Sequence, residues 1–161
     1  MSAVQSVLLY GSEVWADALN KEAYRLRLAR VQRTFQMWQE SWERETRGRW
    51  TARLIRQVQP WVERRHGEVD YYLTQFLSGH GYFQSYLHLM AKTNSPDCIY
   101  CPCIPDDAEH TFFHCPQWDM LCQEAIQHLG VLSIESICET LLKGEDNWDC
   151  WSHFVRNVLQ A

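Results

Sequence analysis

Residues 98–115, "CIYCPCIPDDAEHTFFHC", hold four cysteines and two histidines. Thiolates and imidazoles at this density are ligands for a soft or borderline divalent cation. Structural zinc takes four of them in a tetrahedron, usually as two close pairs. Cys98-x2-Cys101 has the spacing at which a tight turn points two sulfurs at one ion. The second pair comes from His110, His114 and Cys115. "DDAEHTFFHC" reads as a helix start, with Asp106 or Asp107 as cap and its acids set against the positive end of the helix dipole. His110 and His114 then share a face at i, i+4, and Cys115 lies one position further on. Three ligand sets fit the spacing: Cys98, Cys101, His110, Cys115; the same with His114 for Cys115; and a set with Cys103 for Cys101. Pro102, Pro105 and Pro116 stiffen the connections between them. The pattern argues against a hydrolytic site, which needs an open position and a general base. Glu109 beside His110 only superficially resembles the zinc deaminase signature: the order is Glu-His, and the cysteine pair precedes the histidine.

The elements that must position this cluster read as helices. Tyr24, Leu28, Val31, Phe35, Trp38 and Trp42 step by 4 and 3 residues in turn, one stripe on a long helix. The stripe spans less than three heptads, too few for a coiled coil. Gly48 interrupts, and Trp50, Leu54, Val58 and Trp61 form another stripe that Pro60 bends or restarts. Val69, Tyr72, Leu73, Phe76 and Leu77 share a face that ends at Gly79, well suited to a left-handed C-cap. Phe83, Tyr86, Leu87 and Met90 repeat the pattern. Beyond the cysteines, a helix through Trp118, Leu121, Ala125 and Leu129 closes at Gly130. Ser133 caps the next, over Ile134, Ile137, Cys138 and Leu141, with Gly144 beyond, and Trp148, Trp151, Val155 and Leu159 mark a last one. Such stripes are read as core seams. Alternation is absent except in "SVLLY" near the start. The expected fold is all-α around one metal-stapled turn. Its four regions are residues 1–40, a basic to amphipathic stretch 41–96, the cysteine turn 97–116 and C-terminal helices 117–161.

Seven cysteines, four of them in one short stretch, do not make a disulfide framework. Cys122, Cys138 and Cys150 sit among apolar residues and are expected as small buried thiols. No apolar run is long enough to cross a membrane, and the start lacks the charge pattern of a secretory signal. The expected location is intracellular, nucleus or cytoplasm. The net charge of -5 hides a division. Residues 21–65 hold twelve Lys and Arg against five acids, and residues 66–161 hold three against thirteen. An anionic partner is therefore expected to meet the first half. Arg44, Arg47, Arg49, Arg53 and Arg56, interleaved with tryptophan, are the expected contacts for phosphates and stacked bases of RNA or DNA. No small-molecule substrate is implied. His80, between two glycines, reads as a turn residue and not as a base.

Four segments carry a family resemblance: "SVLLYGSEVWADAL", "WERETRGRWTARLI", "VERRHGEVDYYLTQFLSGHGYFQSYLHLM" and "SPDCIYCPCIPDDAEHTFFHC". Together they resemble the C-terminal end of insect non-LTR (LINE-type) retrotransposon polyproteins, in which an endonuclease and a reverse transcriptase precede a Cys-Cys-His-Cys zinc knuckle. "LTQFLSGHGYF" and the knuckle are the most specific parts. The resemblance selects Cys98, Cys101, His110 and Cys115 as the zinc ligands and leaves His114 and Cys103 as bystanders.

Departures from the family qualify what the resemblance implies. The paired aspartates of a polymerase hairpin, which would hold catalytic metal, are absent, since "PDDAEH" lies inside the knuckle. No endonuclease is present. The segment resembling the stretch after the polymerase core is shortened between "LARVQRT" and "FQMWQESW". The expectation is a truncated C-terminal piece of an RNA-directed DNA polymerase polyprotein, without catalytic residues, that acts at most as a zinc-dependent nucleic-acid-binding tail. The alternative is an inert helical remnant or protein-interaction module whose zinc is structural.

Overall fold

The computed structural model describes residues 22–161. "SVLLYGSEVWADAL", with the apolar "SVLLY", lies outside the described residues. Among the described residues the fold is all-α, as expected: nine α-helices, one 3-10 turn and a single isolated antiparallel bridge between Asp97 and Pro105. No described helix is long and apolar enough to cross a membrane. The chain divides into two compact units.

The first unit includes residues 22–47 and 57–64. Helix α1 (Glu22–Arg44) carries the stripe from Tyr24 to Trp42, yet buries none of its residues. Phe35 and Trp42 are half-buried, while Tyr24, Val31 and Trp38 are exposed. Periodicity establishes a shared face, not a covered one. The short helix α3 (Val58–Glu63) belongs to the same unit, and its first amide donates to Gln39 Oε1 at 2.9 Å. Pro60 sits in its first turn, where a missing N–H costs no hydrogen bond. Arg64 lies over the Trp61 ring at 4.3 Å.

The second unit comprises residues 48–56 and 65–161. It opens with α2 (Arg49–Leu54), which begins after Gly48 in the left-handed region and ends at Ile55. The stripe from Trp50 to Trp61 is thus broken at residues 55–57, and its two halves serve different units. Helix α4 (Tyr71–Ser78) is capped at both ends. Asp70 accepts from the Leu73 amide at 2.7 Å, and Gly79 closes the helix at φ 70°. Burial works against the Asp70 carboxylate, but the Arg156 guanidinium at 2.6 Å and the Leu73 amide outweigh it and hold Asp70 below its ordinary value. Helix α2 hangs on the end of α4: Trp50 Nε1 donates to the Phe76 carbonyl at 2.6 Å, and Thr51 Oγ1 to that of Leu77 at 2.9 Å.

Helices α5 (Gln84–Leu89), α6 (Ala108–Phe113), α7 (Asp119–Leu129), α8 (Ile137–Leu141) and α9 (Glu145–Gln160) complete this unit. Its core is aromatic. Phe76 meets Phe112 edge to face at 5.1 Å and Trp151 at 5.3 Å, and Trp151 meets Phe154 at 4.9 Å. Along α9, Trp148, Trp151, Phe154, Val155 and Val158 are buried, which adds Phe154 and Val158 to the expected face. Trp148 passes so close to Gly67 (φ +78°) that a Cβ there would lie 2.1 Å from the indole. Ser133 accepts from the Ser136 amide at 3.2 Å ahead of α8, and Gly130 closes α7. Cys138 is buried; Cys122 and Cys150 are half-buried.

Candidate metal centre

Two local structures bring the cysteines together. The first is a turn closed by the Asp97–Pro105 bridge. Within it the Cys98 amide donates to Ile104 O at 2.8 Å, the Ile104 amide to Cys101 O at 3.2 Å, and the Asp106 amide to Pro96 O at 2.9 Å. Cys103 occupies the left-handed region, φ 65°, and is exposed. The second is α6. Its cap is Asp107, whose Oδ1 accepts from the His110 amide at 2.8 Å. Asp106 is used otherwise: its carboxylate accepts from Thr111 Oγ1 at 2.6 Å and from the Gln84 amide at 2.9 Å, and its carbonyl accepts from the Ser85 amide at 3.0 Å. One aspartate thus fastens the turn to both α5 and α6.

The helix ends at Phe113, because the residue before Pro116 is disfavoured in helical conformation. His114 forms the C-cap and points outward, with its side chain 60% exposed and Nε2 3.9 Å from Glu109 Oε1. The Cys115 amide instead turns back to the His110 carbonyl at 2.7 Å. The ligand atoms of Cys98, Cys101, His110 and Cys115 all lie within 4.8 Å of one another, and all four residues are buried. His114 and Cys103 are not brought to this point.

The donor set fits a metal. Cys115 Sγ is 3.9 Å from the sulfurs of both Cys98 and Cys101. That is too long for a disulfide of about 2.05 Å and close to the edge, about 3.8 Å, of a tetrahedron with zinc–sulfur bonds of about 2.3 Å. His110 Nε2 is buried and finds no hydrogen-bond partner among the described residues. A buried imidazole nitrogen left unpaired is costly without a ligand to engage. Burial pushes the Cys115 thiol up to about 12 and raises Cys101 as well. A cation at the centre would reverse this, since a coordinated thiol is deprotonated. Three sulfurs and an imidazole are a soft donor set, of the kind that holds structural zinc. Trp118 packs against the three cysteines from outside.

One contact of the site has no counterpart in the sequence reading. Arg53 on α2 makes a two-pronged ion pair with Glu109, at 2.6 and 3.2 Å, next to His110 in sequence. Its hydrogen bond is the main reason Glu109 is held below its ordinary value, with burial opposing. The partners are 56 residues apart in sequence, and no local signal joins them. The other arginines differ in setting. Arg44 pairs with Glu40 within α1 at 3.3 Å. Arg44 and Arg47 fall in the first unit, and Arg49, Arg53 and Arg56 in the second. All five are exposed. His80 stacks on Tyr86 at 4.6 Å and is exposed, as suits a turn residue.

No protein-family model matches the chain, and no solved structure matches it. Curated proteins do. Over 88 residues, 55% of this chain, it is 32% identical to a retrovirus-related Pol polyprotein from type-1 retrotransposable element R1 2 of Nasonia vitripennis, covering 21% of that protein. A second Pol polyprotein of the same organism, from element R1 4, is 30% identical over 97 residues, 56% of this chain and 23% of that protein. The Pol polyprotein from element R1 of Bradysia coprophila is 29% identical over 91 residues, 56% of this chain and 9% of that protein. Over about half its length the chain is therefore similar to Pol polyproteins of R1 retrotransposable elements, and it spans about a fifth of the length of the first two.

Proposed function

We propose that this chain is a zinc-stapled nucleic-acid-binding segment of a retrotransposon Pol-type polyprotein. Cys98, Cys101, His110 and Cys115 hold the ion. The observation that carries this reading is the convergence of four buried ligand atoms within 4.8 Å, in a chain similar to Pol polyproteins. Zinc with four protein ligands has no open position, so its role is to fix the turn against α6, as structural zinc does. The surfaces it supports do the binding.

The contacts to RNA or DNA come from Arg44, Arg47, Arg49, Arg53 and Arg56, of which Arg44 and Arg53 must first exchange their pairing with Glu40 and Glu109. The stretch 97–116 carries Asp97, Asp106, Asp107 and Glu109 and no Lys or Arg, so it repels phosphate unless basic surface outweighs it. Polymerase and nuclease chemistry is not assigned to these residues, because "PDDAEH" is consumed in capping and fastening the knuckle. A second reading, in which zinc is structural and the chain meets only protein, is favoured by one observation: Arg53 is already committed to Glu109.

Titration with mixed-sequence RNA and DNA at several salt concentrations separates the two. Each neutralised phosphate adds about -0.7 to -0.9 to the slope of log affinity against log salt. Arg47→Gln with Arg49→Gln should flatten it by about 1.5 by the same rule, while Arg53→Gln should leave it unchanged if Glu109 holds that side chain. Absence of binding at low salt overturns the nucleic-acid reading.

A further inference from the structure

The turn that carries Cys98 also forms one wall of an open cavity of about 210 Å³. The facing walls are the approach to α5, with Tyr82 and Gln84, and the end of α9, with Leu159; Tyr100 and Trp118 border it on the knuckle side. Three partly exposed aromatic residues thus line one small space, with buried Phe83 behind them. Tyr82 and Tyr100 are 56% and 46% exposed, and Tyr100 meets Trp118 edge to face at 5.8 Å and 82°. Solvated aromatic rings around a concavity are an apolar surface awaiting a ligand.

Size and polarity narrow the ligand. The volume is below the roughly 300–1,000 Å³ of sites for drug-sized molecules, so the cavity suits one flat ring system and not a helix or strand. A phosphate is excluded by charge: Asp106 lines the space, Asp97 and Asp107 flank it in sequence, and residues 97–118 hold no Lys or Arg. The Asp106 carboxylate is already occupied by Thr111 and the Gln84 amide. The Gln84 carboxamide makes no hydrogen bond among the described residues, which leaves a donor and an acceptor for the edge of a ring. A neutral flat group with polar edges is a nucleobase. Single-stranded recognition proceeds this way, with unstacked bases laid on aromatic side chains and read at their edges.

We propose that this cavity takes one unstacked base of single-stranded RNA or DNA, with Tyr82, Tyr100 and Trp118 against the ring and Gln84 at its edge. The site rests on the nucleic-acid reading above and adds to it where the base goes. It also ties binding to the metal, since the turn from Cys98 to Cys101 forms a wall and holds two ligands.

The test uses the zinc-loaded full chain and a mixed-sequence single strand, beside a strand of the same length with abasic sites. Tyr82→Ala with Tyr100→Ala changes only exposed side chains, so the core and zinc content should be retained. Affinity for the intact strand should fall roughly 5- to 150-fold, the range for one lost base–aromatic stack. The salt slope should not move, because stacking releases no counterions. Tyr82→Phe with Tyr100→Phe should bind as the unaltered chain does, and the abasic strand should bind the unaltered chain weakly. Equal affinity for intact and abasic strands, or an unchanged double alanine variant, overturns the base site and leaves the nucleic-acid reading standing. Displacement of the strand by a tryptophan-containing peptide but not by nucleoside monophosphates also overturns it, in favour of a protein side chain in the cavity. No binding of either strand at low salt removes both readings together.

Discussion

Replacing Cys115 by serine should separate the ligand sets that spacing leaves tied. Its sulfur stands 3.9 Å from each of the other two thiols and the residue is 4% exposed, whereas Cys103 faces solvent. Zinc in a four-ligand structural site is held by an apparent 10–16 kcal/mol or so near neutral pH, about 2.5–4 kcal/mol for each ligand if shared equally. A serine hydroxyl does not ionise to replace a thiolate. Cys115→Ser should therefore weaken zinc by roughly 60- to 900-fold, while Cys103→Ser should stay within about twofold, as exposed substitutions do. Competition against a chromophoric chelator measures both. Hydrogen exchange over residues 97–116 supplies a second readout: the amides of Cys98 and Cys115, bonded to Ile104 O and His110 O, should exchange faster in Cys115→Ser alone. Equal zinc loss in the two cysteine variants refutes the reasoning. So does tight zinc in Cys115→Ser that is lost in His114→Ala, which would make the i, i+4 histidine pair the real ligands.

Other perturbations follow from the same geometry. Because burial pushes the metal-free Cys115 thiol up to about 12, a proton must leave for the metal to bind, so affinity should fall by about tenfold or more per pH unit as the solution is acidified; zinc release followed by chelator absorbance from pH 8 downward checks this, and a flat profile contradicts it. Gly67→Ala would place a Cβ 2.1 Å from the Trp148 indole at φ +78°, so stability should drop by about 3 kcal/mol or more in chemical denaturation. Asp70→Ala removes the α4 cap and the Arg156 partner and should cost about 1–2 kcal/mol at neutral pH. Asp70 is held below its ordinary value, so its contribution is present above the usual carboxylate range and lost as pH falls through the depressed value; the gap between the two chains should close in acid.

Helical periodicity made the element types legible, and caps made several ends legible: Gly79 and Gly130 fall where the residues themselves require them, whereas Ser133 holds only the turn before α8, whose N-cap is Ser136. What periodicity could not supply was burial. The face from Tyr24 to Trp42 has the same spacing as a core seam, yet no residue of α1 is fully buried, because a stripe states which side chains are neighbours and not what lies opposite. Nor could it show that Trp50 and Leu54 part from Val58 and Trp61. Ile55 leaves the helix after Leu54, and the only local sign is Pro60, five positions later. The Trp50 indole is satisfied by the Phe76 carbonyl, 26 residues away, a contact decided by packing in three dimensions.

The ligand set shows the same division at finer scale. Read as an unbroken helix, "DDAEHTFFHC" puts His114 beside His110 and turns Cys115 away. The structure inverts this because α6 stops at Phe113 and the chain closes with the Cys115 amide on the His110 carbonyl. Pro116 was the legible reason for that stop. Its consequence, a swap of which side chain faces the sulfurs, depended on a backbone turn that spacing does not encode. Cys103 is excluded by a similar detail, its left-handed backbone at φ 65° directing it to solvent. Arg53 is the counterpart on the binding side. Counted by charge it belongs with the expected phosphate contacts, but its guanidinium spans Glu109 with two hydrogen bonds. An arginine so placed joins α2 to the helix that carries His110. That ion pair links the two helices within the second unit, so disrupting the Cys98–Cys115 cluster should also perturb α2.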